Sequence, residues 1–197
     1  MTFCERLLEH VSACFTGLWV QSHEHDDALR ETARLCREHD WRLATWDSEQ
    51  GFQVPGAEAP AETDASDPLA AIRALATMNN PGGTTLLVLP NFHRFLHSGE
   101  IVQALSHQIT AGKQNRTFIV ILSPIVDIPA ELEKLIVVLE HDLPGRDQLD
   151  EIARGVATEE GELPDGDSLT AILDAAAGLT RYEAEGAFSL SLVRHGS

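Results

Sequence analysis

The hydrophobic pattern of the chain centres on two short runs in which apolar residues do not alternate with polar ones. Residues 86–89 (LLVL) lead into Pro90 and Asn91, and residues 118–122 (FIVIL) lead into Ser123. Runs of this kind are typical of strands that are buried on both faces of a parallel sheet. We therefore predict such a sheet, with Asn91 and Ser123 at the carboxyl ends of two strands, where proteins of this class keep their chemistry.

Strand and helix patterns alternate along most of the chain. Further strands are predicted at 16–21, 41–46 and 135–140, and helices at 3–15, from an N-cap at Ser22 to about residue 39, and at 69–78, 98–112 and 129–134. This alternation predicts right-handed crossovers and an α/β fold with a five-stranded parallel sheet.

The strand signals stop after residues 143–146 (LPGR), and three helical stretches remain at 147–158, 168–177 and 181–194. We predict two domains, an α/β core over 1–145 and a small all-helical lid over 146–197. Residues 53–67 are rich in Ala, Pro and acids, which is typical of a flexible acidic insertion rather than packed structure.

Composition limits the partners. The 31 acidic residues outnumber the 14 basic ones, for a net charge of −17, and no basic cluster is evident. We therefore expect no binding to nucleic acid or to anionic membranes. No apolar run approaches the roughly 20 residues that span a bilayer. Three widely spaced cysteines fit neither a disulfide framework nor a zinc knuckle, which favours a reducing, cytoplasmic compartment.

Four sequence motifs support a family resemblance. They are residues 92–96 (FHRFL), 122–133 (LSPIVDIPAELE), 143–146 (LPGR) and 178–185 (GLTRYEAE). Together with the order of strands and helices, they resemble an AAA-type ATPase module, that is, a P-loop-type sheet followed by a helical lid. The pattern is most similar to the amino-terminal AAA-like half of the family known as hypothetical chloroplast reading frame forty-six, which has cyanobacterial, plastid and bacterial members. In that family a second, conventional AAA module follows.

The chain departs from a working ATPase at each place where nucleotide would bind. A phosphate-binding loop needs glycines and a lysine, but residues 22–27 (SHEHDD) contain neither. Asn91 stands where an acid would bind Mg²⁺, and the segment that bears arginine fingers is reduced to Glu133 and Lys134. We predict that ATP and Mg²⁺ bind weakly or not at all. The vestigial nucleotide-pocket positions are Ser22, His23, Asn91 and Ser123.

Other candidate sites are weaker. His23 and His25, two residues apart, point to different sides of a helix start, and His93 and His97 lack the glutamate of a zinc-protease motif, so no metal site is predicted. Ser123 lacks the glycine-flanked turn of a catalytic serine. A candidate interaction patch consists of Phe92, Arg94 and Phe95.

These observations favour a degenerate AAA-like module that acts as a regulatory or assembly domain and is not itself catalytic. Its expected partner is the conventional AAA module of the same family or a second copy of the chain. The main alternative is a divergent nucleotide-binding ATPase that uses Asn91 and Ser123. A third hypothesis is a metal sensor built on His23, His25 or His93.

Overall fold

A computed structural model describes residues 1–55, 66–78, 82–159 and 161–195 of the chain. The strands are β1 (Gly17–Gln21), β2 (Arg42–Asp47), β3 (Gly51–Gln53), β4 (Thr85–Pro90), β5 (Thr117–Ser123) and β6 (Ile136–Glu140). The helices are α1 (Phe3–Ser12), α2 (His25–Glu38), α3 (Pro68–Thr77), α4 (Gly99–Asn115), α5 (Arg146–Val156), α6 (Gly166–Ala175) and α7 (Arg181–His195), with a short 3₁₀ helix over Phe92–Phe95.

The strands form one sheet in the order β3-β2-β4-β5-β1-β6. All neighbours pair in parallel except β2 and β3. The first strand therefore lies between β5 and β6, with Gly17 opposite Ile119 on one side and Ile136 on the other. This confirms the predicted α/β class with a mostly parallel sheet.

The predicted strand count is corrected from five to six. The additional strand, β3, is antiparallel to β2 and pairs Gly51 with Asp47. The turn between them forms because Asp47 Oδ1 accepts hydrogen bonds from the backbone N–H groups of Glu49 and Gln50, at 2.8 and 2.7 Å. Gly51 has φ +69°, a conformation that favours glycine, and Phe52 is buried. Three residues are too few to show a strand period in the sequence.

The predicted flexible insertion over 53–67 belongs only in part to the described structure. Gln53 ends β3, and the Asp67 side chain caps α3 by accepting from the Leu69 N–H at 2.9 Å. Residues 56–65 lie outside the described residues.

The short helix predicted at 129–134 is also corrected, because this segment forms turns. Isolated backbone hydrogen bonds join Leu132 N to Pro129 O and Ile136 N to Leu132 O, at 2.9 and 3.1 Å. The side chain of Leu132 is fully buried in the core beside the sheet. Burial of Leu132 thus stabilises this segment, which does not have the continuous backbone hydrogen bonds of a helix.

Helices cover both faces of the sheet, and successive strand residues point to opposite sides. Trp19, Leu87 and Ile121 belong to the core that α3 and α4 cover, whereas Leu18, Val88 and Val120 belong to the core that α1 and α2 cover. Every residue of β5 is buried. The uninterrupted apolar runs in the sequence follow from this two-sided burial.

The chain divides into two compact units, Met1–His141 and Asp142–Ser197. The second unit consists of α5, α6 and α7, which pack around Leu149, Ile152, Leu173 and Ala184. Within the part of the chain that the structure describes, no helix has the length and apolar character required to cross a membrane.

Candidate functional site

The carboxyl ends of four neighbouring parallel strands form one row at the edge of the sheet. In the order β4, β5, β1, β6, these ends carry Asn91, Ser123, Ser22 and His141. The strand register brings them together, since Gln21 lies opposite both Ser123 and Glu140. The sequence predicted Asn91, Ser123 and Ser22 at this edge and missed His141. The sequence did contain a signal for His141, because this residue directly follows the strand predicted at 135–140.

The loop between β1 and α2 has only three residues, 22–24. Ser22 is 2% exposed, and its N–H donates to the Ser123 carbonyl oxygen at 3.0 Å. Its hydroxyl oxygen accepts from the Glu24 N–H at 2.9 Å and lies 2.9 Å from Nδ1 of His141. The helix starts at His25 with Glu24 as its cap, so Ser22 is not the N-cap residue that the sequence predicted.

A phosphate-binding loop of the usual kind spans eight residues and wraps its backbone N–H groups around the ligand. The loop here has three residues, 22–24, and contains neither glycine nor lysine. The first turn of α2 carries the carboxylates of Asp26 and Asp27. Negative charge therefore stands where a polyphosphate would need positive charge.

Asn91 lies in the left-handed backbone region, with φ +55°. Its N–H donates to the Leu122 carbonyl oxygen at 2.7 Å, which fixes the turn after β4 to the end of β5. Its side-chain nitrogen lies 3.4 Å from Nδ1 of His25. Asn91 itself is exposed, so its amide is the accessible polar group of the row.

Ser123 is fully buried, in contrast to Asn91. Its hydroxyl lies 2.8 Å from Nδ1 of His93 and accepts from the Ile125 N–H at 3.3 Å. A serine with these partners satisfies polar groups at a strand end. The structure brings the predicted residues Ser22, Asn91 and Ser123 into one hydrogen-bonded edge, each with a histidine neighbour.

The two histidines near Asn91 and Ser123 favour the neutral form. Burial lowers the pKa of His25, and repulsion between the protonated forms of His25 and His93 lowers it further, although Asp26 acts in the opposite direction. Burial also lowers the pKa of His93, assisted by the adjacent Arg94. Because neutral imidazoles carry no charge, they do not compensate for the missing lysine of a phosphate loop.

The remaining sequence candidates occupy different places. His23 is exposed, and His97 is exposed beyond the end of the 3₁₀ helix that holds His93. Among the residues that the structure describes, the group with the composition of a metal site is Asp27, Glu31 and His141. It contains none of the histidines that the sequence suggested for a metal sensor.

The three residues of the candidate interaction patch differ in their exposure to solvent. Phe92 is fully buried and packs edge-on against Trp46, with ring centroids 5.5 Å apart. Phe95 is half-buried against both rings. Arg94 is exposed. The assignment of Phe92 to a partner-facing surface is therefore corrected, since its side chain belongs to the core.

The sheet order, the position of β1 between β5 and β6, and the helical unit that follows define an α/β module of the AAA type. The chain matches the model of the SpoVK-like AAA ATPase N-terminal domain over residues 3–141 and that of the SpoVK-like AAA ATPase second domain over residues 147–197. It belongs to the SpoVK-like AAA ATPase family.

Solved structures show the same fold. The structure of C. elegans PCH-2 matches with a TM-score of 0.58 at 11% identity, over 98% of this chain and 63% of that chain. Domain III of the Thermotoga maritima replication initiation protein DnaA matches with a TM-score of 0.54 at 15% identity, over 98% of this chain and 82% of that one. The chain thus spans less than two thirds of the PCH-2 structure. No curated protein matches it.

Proposed function

We propose that this chain is a degenerate AAA module that acts as a regulatory or assembly domain of an AAA-type ATPase. The observation that carries the proposal is the engagement of Ser22. Its backbone N–H and its side-chain oxygen bond to Ser123, Glu24 and His141. The groups at the place of a phosphate loop are thus used within the fold.

Electrostatics supports the same conclusion. Asp26 and Asp27 lie in the first turn of the helix that would face the phosphates, and the whole chain carries a net charge of −17. Each close pair of like charges costs about 1 kcal/mol even in water. Micromolar binding requires about 8 kcal/mol of favourable free energy. A few such pairs remove much of that free energy, and no lysine in the loop offsets them.

The Mg²⁺ position supports it as well. At the end of β4, Asn91 replaces the acid of a working ATPase, and an uncharged amide is a weak ligand for a hard cation. The neighbouring Ser123 hydroxyl is fully buried and already bonded to His93. Neither residue offers the negative charge that holds a magnesium–nucleotide complex.

The proposed partner is a conventional AAA module of the same family, as the resemblance to the chloroplast reading frame forty-six family implies, and self-association is the alternative. The acidic surface of the chain is expected to attract an adaptor or substrate that presents a basic face. The exposed Arg94 is the remaining candidate contact of the predicted patch. Arg94→Glu should weaken a complex with that module or a homo-oligomer, as measured by sedimentation velocity, while Lys113→Glu on the exposed end of α4 serves as the charge-matched control.

Calorimetric titration of the purified chain with ATP plus Mg²⁺, and separately with ADP, tests the nucleotide part. We expect no heat and no thermal stabilisation at millimolar nucleotide, with a conventional AAA module as the positive control. Micromolar binding would contradict the proposal. If Asn91→Ala and Ser123→Ala then abolished that binding, whereas Ser48→Ala in the exposed turn after β2 did not, the divergent ATPase would become the leading function.

A further inference from the structure

Three side chains beside the first strand converge from two elements. Asp27 and Glu31 are four residues apart on α2, so they lie on the same face of that helix. His141 follows the last strand of the sheet. One oxygen of each carboxylate and a ring nitrogen of His141 all lie within 4.8 Å of one another. The distance from Glu31 Oε2 to His141 Nε2 is 3.8 Å.

These side chains are largely withdrawn from water. The exposed fraction is 3% for the His141 side chain, 18% for Glu31 and 8% for Asp27. Two carboxylates at this depth repel each other more strongly than they would on the surface. Arg30 approaches Asp27 to 3.4 Å, but its side chain is 61% exposed. That ion pair is therefore screened by solvent, and a cation between the carboxylates would relieve the repulsion directly.

Two contacts orient the ring of His141. Its Nδ1 lies 2.9 Å from the Ser22 hydroxyl, and its ring packs edge-on against Phe3 with centroids 5.0 Å apart. When Nδ1–H donates to Ser22, the lone pair of Nε2 faces the Glu31 carboxylate. A hydrogen bond from the non-ligating nitrogen is the usual support of a metal-bound histidine.

We propose that Asp27, Glu31 and His141 bind a divalent transition-metal ion, with Zn²⁺ as the best fit. One imidazole nitrogen and two carboxylate oxygens suit zinc, and a water molecule completes a four-coordinate site. Bond lengths near 2.1 Å place tetrahedral ligand atoms about 3.4 Å apart. The present ligand atoms lie within 4.8 Å of one another, so side-chain movements that shorten each distance by about 1.4 Å or less would bring them to that geometry. The ion would link α2 to the end of β6.

Cys4 adjoins the site on the side of α1. Its sulfur lies 3.7 Å from Glu31 Oε2. Burial raises the pKa of this thiol, with Arg34 acting in the opposite direction. The inference shares Asp27, His141 and Ser22 with the nucleotide argument, but a zinc titration in the absence of nucleotide tests it separately.

The test uses the full chain, stripped of metal with a chelator and titrated with ZnCl₂ in a calorimeter. We expect one Zn²⁺ per chain, a rise in the melting temperature and, with Co²⁺ as substitute, the visible absorption bands of a four-coordinate site. Glu31→Gln and Asp27→Asn should each weaken zinc binding by tenfold or more. Glu38→Gln, an exposed acid at the end of the same helix, should leave it within twofold.

Two results would overturn the proposal. One is the absence of stoichiometric binding to the wild-type chain, which needs no variant to fold. The other is binding that survives both Glu31→Gln and Asp27→Asn but is lost in His23→Gln, since that would show capture by an exposed surface histidine. A loss of stability in Glu31→Gln without any zinc effect in the wild type would identify the three side chains as a hydrogen-bonded network only.

Discussion

The hydroxyl of Ser123 lies 2.8 Å from Nδ1 of His93, so the end of β5 is bonded to the 3₁₀ helix that follows β4. This contact joins two strand ends at the edge where an AAA-type protein would process nucleotide. In this chain it is a hydrogen bond within the fold. The same holds for Ser22 and His141, which join β1 to β6.

Ser123→Ala should lower the free energy of unfolding of the α/β unit by about 1 kcal/mol, because a fully buried hydroxyl and its two partners lose their hydrogen bonds. Urea denaturation followed by tryptophan fluorescence measures this, since Trp19, Trp41 and Trp46 all lie in that unit. Ser48→Ala in the exposed turn should change it by less than about 0.5 kcal/mol. Equal effects of the two substitutions would contradict the assigned role of Ser123.

Phe92→Ala should destabilise the α/β unit by about 3–5 kcal/mol, because it removes a fully buried ring that packs against Trp46. Arg94→Ala, two residues away and exposed, should have an effect of less than about 0.5 kcal/mol. The same denaturation experiment compares them, with Phe92→Leu as a milder variant if the alanine variant does not fold. A stable Phe92→Ala protein that fails only in partner binding would return Phe92 to the interaction surface.

Gly112→Ala should destabilise the fold, because a Cβ there would lie 2.2 Å from the Thr117 carbonyl oxygen and close to Thr16. Relief of such a clash shifts the backbone at a cost of about 1–3 kcal/mol. Gly99→Ala at the start of the same helix meets nothing within 4 Å and should be neutral or slightly stabilising. Thermal melts of both variants compare these outcomes, and a wild-type-like Gly112→Ala would show that α4 can move away from the sheet.

The stability of the fold should decrease as the pH falls below about 6.5, through His25 and His93. Burial, the largest cause for both residues, holds the pKa of each below the ordinary value of 6.5, so the folded state binds fewer protons than the unfolded state. The contribution of these two histidines to the free energy of unfolding is therefore fully present above pH 6.5. It is lost as the pH falls through their lower folded-state pKa values. Asp26 and Asp127 oppose the shifts without reversing them.

His25→Gln isolates this effect, because glutamine does not titrate. The wild type should lose more stability than His25→Gln between pH 7 and pH 5, as measured by urea denaturation at each pH. Ser48→Ala serves as the control for a remote substitution and should follow the wild type. An identical pH profile in His25→Gln would show that His25 protonates as easily in the folded chain as in the unfolded one.

The sequence by itself determined the sheet and the residue types at its carboxyl edge. Apolar runs such as 118–122 have no alternation because both faces of β5 are covered, so the pattern follows directly from burial. The absence of glycine and lysine between β1 and α2 is likewise a property of residue type alone. The helical C-terminal unit followed from helical periodicity.

Only the tertiary structure decided which distant residues meet. Ser22 and His141 are 119 positions apart, and they touch because β1 and β6 are neighbours in the sheet order. Asp27 and Glu31 both lie close to His141 for the same reason. The strand β3 depends on a turn in which the Asp47 side chain accepts a backbone hydrogen bond. The conformation of residues 129–134 depends on the burial of Leu132. Local periodicity reflects burial within one element, whereas these contacts depend on the packing of elements far apart in the chain.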